Sequence, residues 1–229
     1  ENFDCFVIPL ADAFRENFVN ELNELTSFVK KLKIPCYVIG VGLKESYEPD
    51  FSQPKPQDEA VKKFVTAVLE KSNCIGVRGE LTGKYLETLG FAEGRDFMVI
   101  GCPSMYMKGK RLHIQNPKLD VNSKVCFNSN VAASVPTRKF IKLKMKEFEN
   151  HYFIGQVVNE LRSIYLGAPY EYKIEYNFRN VTDKIYQDGR LRFFCNVPKW
   201  MEFLNDSDLT FGSRLHGNIA AVLAGTPAL

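Results

Sequence analysis

Short apolar runs alternate with longer amphipathic segments along the first hundred residues. Apolar runs of about four residues are typical of buried parallel strands. They occur at residues 5–8, 36–39, 74–77 and 97–100. Between the first two runs, apolar residues recur at helical spacing over residues 14–32, and a second helical segment covers residues 61–69. This β-α-β-α order predicts a parallel, doubly wound sheet.

The alternation stops at residues 113–122, which are polar, contain Pro117 and show no periodicity. We therefore predict one domain over residues 1–115 and a second over residues 123–229. Further strand-like runs follow at residues 125–127, 152–154, 191–195 and 209–211. The predicted fold class is α/β, with two Rossmann-like parallel-sheet domains. We expect the domains to face a cleft at the carboxyl ends of their strands, where such sheets bind ligands.

The turn after the last predicted strand carries most of the chemistry in the chain. Ser213, Arg214 and His216 lie between an apolar strand and an apolar helix. We predict that Ser213 caps this helix. Free N–H groups, a guanidinium and an imidazole at a helix N-terminus form a site for an anion. A phosphate or carboxylate ligand is the first hypothesis; the alternative is a structural turn in which Arg214 pairs with a carboxylate elsewhere.

The helix that follows has a predicted buried face and a predicted end. Its apolar stripe comprises Leu215, Ile219, Val222 and Leu223. Gly225 followed by Pro227 is a signal for helix termination. Residues 228–229 then read as the start of another strand, so we expect the sequence to be part of a longer protein.

Two other pairs of polar residues follow predicted strands. Arg78 and Glu80 form either a structural ion pair or an anion site in which Glu80 orients Arg78, and their spacing leaves both possibilities open. Gln156 and Glu160 lie one helical turn apart, so we expect them to face solvent together. At the end of a strand, Gln156 could also reach a sugar hydroxyl.

Several common site types are not indicated. The glycines of Gly40-Val-Gly42 follow a strand without the third glycine of a dinucleotide site, so a tight turn or a close ligand approach is favoured. The P-loop and nucleophile-elbow motifs do not occur. The six cysteines form no C-x-x-C pair, and we expect no metal site. We expect buried free thiols in a reducing cytoplasm at Cys5, Cys36, Cys74 and Cys126.

Composition narrows the class of partner. The 229 residues are 45% hydrophobic and 25% charged, as in ordinary globular proteins. A net charge of +3 is too small to indicate a nucleic-acid partner. The basic clusters at residues 108–111 and 139–146 are expected to be solvated. No apolar run approaches the roughly 18 residues of a membrane span, and no signal peptide is visible. We therefore expect a cytoplasmic protein without a membrane span.

Residues 211–229 resemble the signature of the polysaccharide pyruvyl transferase family, G-[ST]-R-[LI]-H-[GA]-x-I-x-A-x-x-x-G-x-P. Further stretches that resemble the family are residues 37–42, 75–82, 99–103 and 200–204. The sequence departs from the family at Gly79 and Cys102, where acidic residues are common. This difference removes a carboxylate from both positions.

The resemblance implies two GT-B-like domains and transfer of a pyruvyl group from phosphoenolpyruvate to hydroxyls of a glycan or lipid-linked sugar, giving a ketal. It implies donor binding by Arg214, by the backbone of Leu215 and by His216, to which we assign the acid–base step. Further candidates for substrate binding are Ser213, Gly217, Arg78 and Gln156. This mechanism requires no cofactor.

Two other functions stay open. A GT-B glycosyltransferase with a nucleotide-sugar donor would share the phosphate site but needs contacts to a base and a ribose. A non-catalytic carbohydrate-binding or assembly protein would have lost its donor site. The presence of both Arg214 and His216 argues against that third function.

Overall fold

The computed structural model describes residues 3–46, 48–130, 133–158, 160–162 and 181–229. The chain divides into two compact units, Glu1–Tyr106 and Met107–Leu229. Each unit contains a four-stranded parallel sheet, which confirms the α/β class with two Rossmann-like domains. The polar stretch at residues 113–122 belongs to the second unit, where the Gln115 N–H donates to the Gly225 carbonyl at 2.8 Å.

The first unit is a sheet in the order β1-β2-β3-β4 with its helices in the connections. Its strands are β1 Phe6–Pro9, β2 Cys36–Val41, β3 Ile75–Val77 and β4 Phe97–Val99. Its helices are α1 Val19–Lys31, α2 Asp58–Leu69 and α3 Glu80–Thr88. All three strand pairs are parallel, as the β-α-β-α pattern predicted.

The core of this unit lies where α1 and α2 pack on the sheet. Leu22 of α1 and Phe64 of α2 are fully buried, in agreement with their helical spacing. Gly40 adopts a φ of +73°, and a Cβ atom at this position would lie 2.5 Å from the Pro103 ring. Only glycine fits at position 40, which accounts for this residue by packing; the predicted close approach of a ligand to Gly40-Val-Gly42 stays a prediction.

The second unit is a sheet in the order β7-β6-β5-β8. Its strands are β5 Val125–Asn128, β6 His151–Gly155, β7 Leu191–Phe193 and β8 Leu209–Gly212. Its helices include α4 Val135–Met145, α5 Lys184–Gln187, α6 Val197–Asn205 and α7 Leu215–Ala224. At residues 228–229, where the sequence predicted the start of another strand, Ala228 forms an isolated parallel bridge with Thr210 of β8, and Leu229 N donates to the Thr210 carbonyl at 2.9 Å.

Helix α4 has no counterpart among the sequence predictions. Its cap is clear, because Ser134 Oγ accepts from Thr137 N at 3.3 Å and Pro136 lies in the first turn. Its apolar face is weak, since it buries only Ile141 and Met145. The basic cluster at residues 139–146 lies largely on the exposed side of this helix, as expected of a solvated face.

The predicted buried stripe of α7 is confirmed at Leu223, is half-buried at Ile219 and Val222, and is wrong at Leu215. Leu215 is 64% exposed, whereas the buried positions are Gly217, Ala220, Ala221 and Leu223. Apolar residues surround most of this helix, so side-chain size decides which face lies inward. The small residues allow α7 to lie close to its neighbours, including α6. The predicted helix end is confirmed by Gly225, whose φ is +96°.

The cysteines differ in burial although four of them belong to apolar runs. Cys36 and Cys126 are buried, but Cys5 is exposed and Cys74 is half-buried, because each of the latter two precedes its strand by one residue. Among the described residues, no three His, Cys, Asp or Glu side chains are placed to hold a metal ion. None of the helices described here is both long and apolar enough to cross a membrane.

Candidate functional site

Three strands of the second sheet end at one edge, and their following turns contact each other. The strands β5, β6 and β8 end at Asn128, Gly155 and Gly212. Asn128 Oδ1 accepts from Arg214 N at 2.8 Å, and Asn128 Nδ2 donates to Asn218 Oδ1 at 2.9 Å. The Asn128 side chain thus holds the start of α7, a role that the sequence did not reveal.

Two glycines permit this close packing of turns. A Cβ atom on Gly212 would lie 2.5 Å from Asn128 Oδ1, and one on Gly217 would clash with Gln156 Nε2. A side chain at either position would push the β8–α7 turn away from its neighbours. Gly217 was predicted to bind substrate. The geometry shows that it also lets the Gln156 side chain pack against the start of α7.

The cap of α7 differs from the prediction. Arg214 occupies the N-cap position with extended backbone, and Ser213 lies one residue earlier. Ser213 Oγ instead accepts from Asn130 N at 3.0 Å and so ties the β8–α7 turn to the end of β5. The prediction that Ser213 caps the helix was wrong, because the helix begins one residue later than the pattern indicated.

The first turn of α7 offers unpaired backbone donors. By the geometry of an α-helix, the N–H groups of Leu215, His216 and Gly217 have no partner inside the helix. The helix dipole adds partial positive charge at the same end. The imidazole of His216 is exposed on this turn. These are the features that we expected of an anion site.

The Arg214 guanidinium is anchored along one side only. Its Nε donates to the Ser129 carbonyl at 3.2 Å, and its side chain is only 15% exposed. Its Nη2 lies 3.6 Å from Glu160 Oε1, which is an ion pair but too long for a hydrogen bond. Glu160 is therefore the carboxylate partner that we expected if Arg214 only stabilises the turn. Arg214 Nη2 nevertheless has no hydrogen-bond partner among the described residues and can donate to a further acceptor.

Glu160 is the buried carboxylate that sequence reasoning missed. It is 7% exposed, and its Oε2 accepts from Gln156 N at 2.7 Å and from Val157 N at 3.1 Å. Burial raises the pKa of the Glu160 carboxyl above its ordinary value, although these bonds and Arg214 oppose the rise. The expectation of a solvent-facing Gln156–Glu160 pair was wrong. The sequence did contain an indication of this role, because Glu160 lies where a glutamate side chain can accept from backbone N–H groups at the start of the helix after β6.

Three of the predicted site residues line one pocket. Gln156, Arg214 and His216 surround a volume of about 310 Å³. The rest of the lining is largely apolar and consists of Ile154, Gly155, Phe194, Val197 and Trp200. An apolar wall with a few convergent polar groups is typical of a small-molecule site.

The polar groups of this pocket have unused hydrogen-bonding capacity. Gln156 Nε2, Trp200 Nε1 and Arg214 Nη2 are buried and have no hydrogen-bond partner among the described residues. A buried donor without a partner lowers the stability of the fold. Three such donors among the residues that line one pocket indicate a ligand rich in acceptor oxygens. The sequence placed Trp200 in a stretch that resembles the family and assigned no role to its side chain.

A larger pocket, of about 440 Å³, lies in the first unit between the loop before α2 and helices α2 and α3. Its polar groups are engaged with one another, because Tyr85 Oη donates to Asp58 Oδ1 at 2.7 Å. Lys55 Nζ lies 3.4 Å from Glu45 Oε1. The pocket of the first unit is therefore not the better candidate for a ligand site, although it is the larger of the two.

Arg78 is held by backbone carbonyls in the first unit. Its Nε donates to the Gly40 carbonyl at 3.0 Å and its Nη2 to the Leu10 carbonyl at 3.2 Å. Glu80 is exposed at the start of α3, and the contacts of the Arg78 guanidinium are with these carbonyls and not with Glu80. The structural ion pair was therefore wrong, whereas substrate binding by Arg78 stays a prediction.

A family model described as polysaccharide pyruvyl transferase matches residues 5–229. Because this match covers nearly the whole chain, the chain belongs to the polysaccharide pyruvyl transferase family. No curated protein matches the chain.

Proposed function

We propose that this member of the polysaccharide pyruvyl transferase family moves a pyruvyl group from phosphoenolpyruvate to two hydroxyls of a glycan or lipid-linked sugar. The products are a ketal and inorganic phosphate. The observation that carries the proposal is a set of three donor atoms without hydrogen-bond partners among the described residues, one of them Arg214 Nη2, beside His216 on one pocket. Phosphoenolpyruvate supplies a phosphate and a carboxylate, and hence several acceptor oxygens for those donors.

Donor binding is assigned to the start of α7 and to the turn after β6. Arg214 and the backbone N–H groups of Leu215 and Gly217 would hold the phosphate, because cations and helix N-termini both favour anions. The Gln156 amide would donate to another oxygen of the same molecule. Ser213 would contribute by holding the turn against Asn130.

The chemistry requires proton transfer at carbon and at oxygen. His216 would donate a proton to the methylene carbon of phosphoenolpyruvate while one sugar hydroxyl adds to the central carbon. Departure of the phosphate lets the second hydroxyl add at that carbon. Of the two hydroxyl protons, one replaces the proton given to the methyl group and the other leaves with hydrogen phosphate. An imidazole is suited to both transfers near neutral pH.

The direct test incubates the protein with phosphoenolpyruvate and sugars that carry two free neighbouring hydroxyls, and follows products by mass spectrometry. We expect the mass increment of a pyruvyl ketal and one phosphate released per product. Thermal unfolding with phosphoenolpyruvate, uridine diphosphate and guanosine diphosphate provides a second readout. Stabilisation by a nucleotide but not by phosphoenolpyruvate would favour the nucleotide-sugar glycosyltransferase instead.

A further inference from the structure

The indole N–H of Trp200 is a buried donor to which the proposed function assigns no particular atom of the ligand. Trp200 lies on α6 and lines the pocket together with Phe194 and Val197. Its Nε1 atom is buried and has no hydrogen-bond partner among the residues described. Because an indole N–H can only donate, it requires an acceptor atom, which a ligand in the pocket would supply.

The pocket lining differs in character from one end of the sheet to the other. Arg214 and His216 follow β8, at one end of the strand order, and contribute the charge and the helix N-terminus. Phe194 and Trp200 follow β7, at the opposite end, and contribute apolar rings with one neutral N–H. Gln156 follows β6, between them, and adds a second neutral donor.

We propose that Trp200 Nε1, together with Gln156 Nε2, binds the carboxylate of phosphoenolpyruvate, while the phosphate lies at Arg214 and the start of α7. This inference rests on the proposed function. The phosphate carries up to two charges near neutral pH and requires the cation and the helix N-terminus. The carboxylate carries one charge and two acceptor oxygens, which match two neutral N–H donors.

The assignment separates the two halves of the donor by their fate. The phosphate leaves, whereas the carboxylate stays on the pyruvyl group throughout the transfer. Trp200 would therefore be a specificity-determining residue that recognises the transferred half and distinguishes phosphoenolpyruvate from phosphate. It would hold no proton of the reaction and form no covalent bond.

Trp200 is the only tryptophan of the chain, so it reports on its own site. In the unmodified protein, phosphoenolpyruvate should change the tryptophan emission at saturation, and inorganic phosphate should change it much less. Equal changes with both ligands would contradict the assignment.

The decisive variant is Trp200→Phe, which keeps an aromatic ring and removes the N–H. By calorimetry we expect the dissociation constant for phosphoenolpyruvate to rise about tenfold to a hundredfold, as for a lost hydrogen bond to a charged group. Binding of inorganic phosphate should stay within about twofold, which also demonstrates that the pocket is folded. Lys199→Ala is the matched control, because Lys199 is exposed on the same helix and pairs with Glu202.

The outcomes separate the two proposals. If the unmodified protein forms the ketal and Trp200→Phe keeps its affinity for phosphoenolpyruvate, the Trp200 assignment is wrong and the proposed function stands. Equal losses for phosphoenolpyruvate and phosphate would also overturn the assignment. If the unmodified protein neither binds phosphoenolpyruvate nor forms a ketal, both proposals fail.

Discussion

Arg78 and Arg214 each lie in a turn between a strand and a helix, one in each unit, and differ in what their guanidinium groups contact. Each follows a parallel strand and precedes a helix. Arg78 donates through Nε and Nη2 to two backbone carbonyls. Arg214 donates through Nε to one carbonyl and keeps Nη2 without a hydrogen-bond partner. Sequence position alone therefore does not make an arginine a ligand site, since its unsatisfied donors also matter.

The surroundings of the two arginines also differ, because Arg78 lies against backbone and Arg214 lines a pocket. The Arg78 side chain passes close to Gly42, since a Cβ atom added to Gly42 would lie 3.7 Å from the Arg78 Cβ. Beside Arg214 lie the Glu160 carboxylate and a pocket with two further unpartnered donors. We expect changes at Arg78 to act first on stability, and changes around Arg214 to act first on ligand binding.

The largest expected effect comes from His216→Ala in the second unit. Ketal formation should fall about 10²- to 10⁴-fold, as for loss of a general acid–base group. Binding of phosphoenolpyruvate should persist in part, because Arg214 and the α7 amides are unchanged. Turnover by mass spectrometry and affinity by calorimetry check the two halves of this prediction. Full activity in the variant would exclude His216 as the acid–base group.

Arg214→Lys should raise the KM for phosphoenolpyruvate about tenfold to a hundredfold. Lysine keeps the charge but loses the forked geometry that reaches Ser129, Glu160 and a ligand at once. Initial rates over a range of donor concentrations measure the effect, and thermal unfolding shows whether the fold is retained. An unchanged KM would mean that Arg214 serves the turn alone.

Arg78→Lys is the matched change in the first unit. It removes the forked contact to the Gly40 and Leu10 carbonyls, and we expect the free energy of unfolding to fall by about 1–3 kcal/mol. Chemical denaturation measures this loss. The KM for phosphoenolpyruvate in the same variant tests the separate prediction that Arg78 contributes to substrate binding. No loss of stability would contradict the structural role described here.

Changes at Glu160 have the smallest expected effect on stability when the acceptor is kept. Glu160→Gln retains an oxygen for the Gln156 and Val157 amides, so we expect a loss of about 1 kcal/mol or less. Glu160→Ala leaves both amides unsatisfied and should cost about 1–3 kcal/mol. Denaturation of the two variants side by side distinguishes acceptor loss from charge loss.

The pH dependence of the same position follows from its pKa. Because the pKa of Glu160 is raised in the folded state, the folded protein binds its proton more tightly than the unfolded chain does. Its contribution to stability is therefore present below the unfolded pKa and falls as the pH rises through the folded pKa. Glu160→Gln should remove this component from a stability–pH curve. A component that persists in the variant would belong to another group.

Much of the fold was readable in the sequence, because buried parallel strands are covered on both faces and appear as continuous apolar runs. All eight predicted runs correspond to strands, with ends that differ by a residue or two. Helix α4 was not predicted, because it buries only two side chains and its apolar residues therefore show almost no helical periodicity. The inward face of α7 was predicted only in part, because periodicity cannot rank faces of a helix that is apolar nearly all round.

Local patterns and chain order encode the parallel strand–helix order and the position of Arg214 and His216 at the start of α7, so both could be predicted without a structure. Which polar groups are left without partners became visible only in three dimensions. Asn128, Glu160 and Trp200 lie far apart along the chain and meet the α7 turn or its pocket through sheet pairing. Whether a donor is satisfied depends on neighbours in space, and those are set by strand register and packing rather than by local sequence.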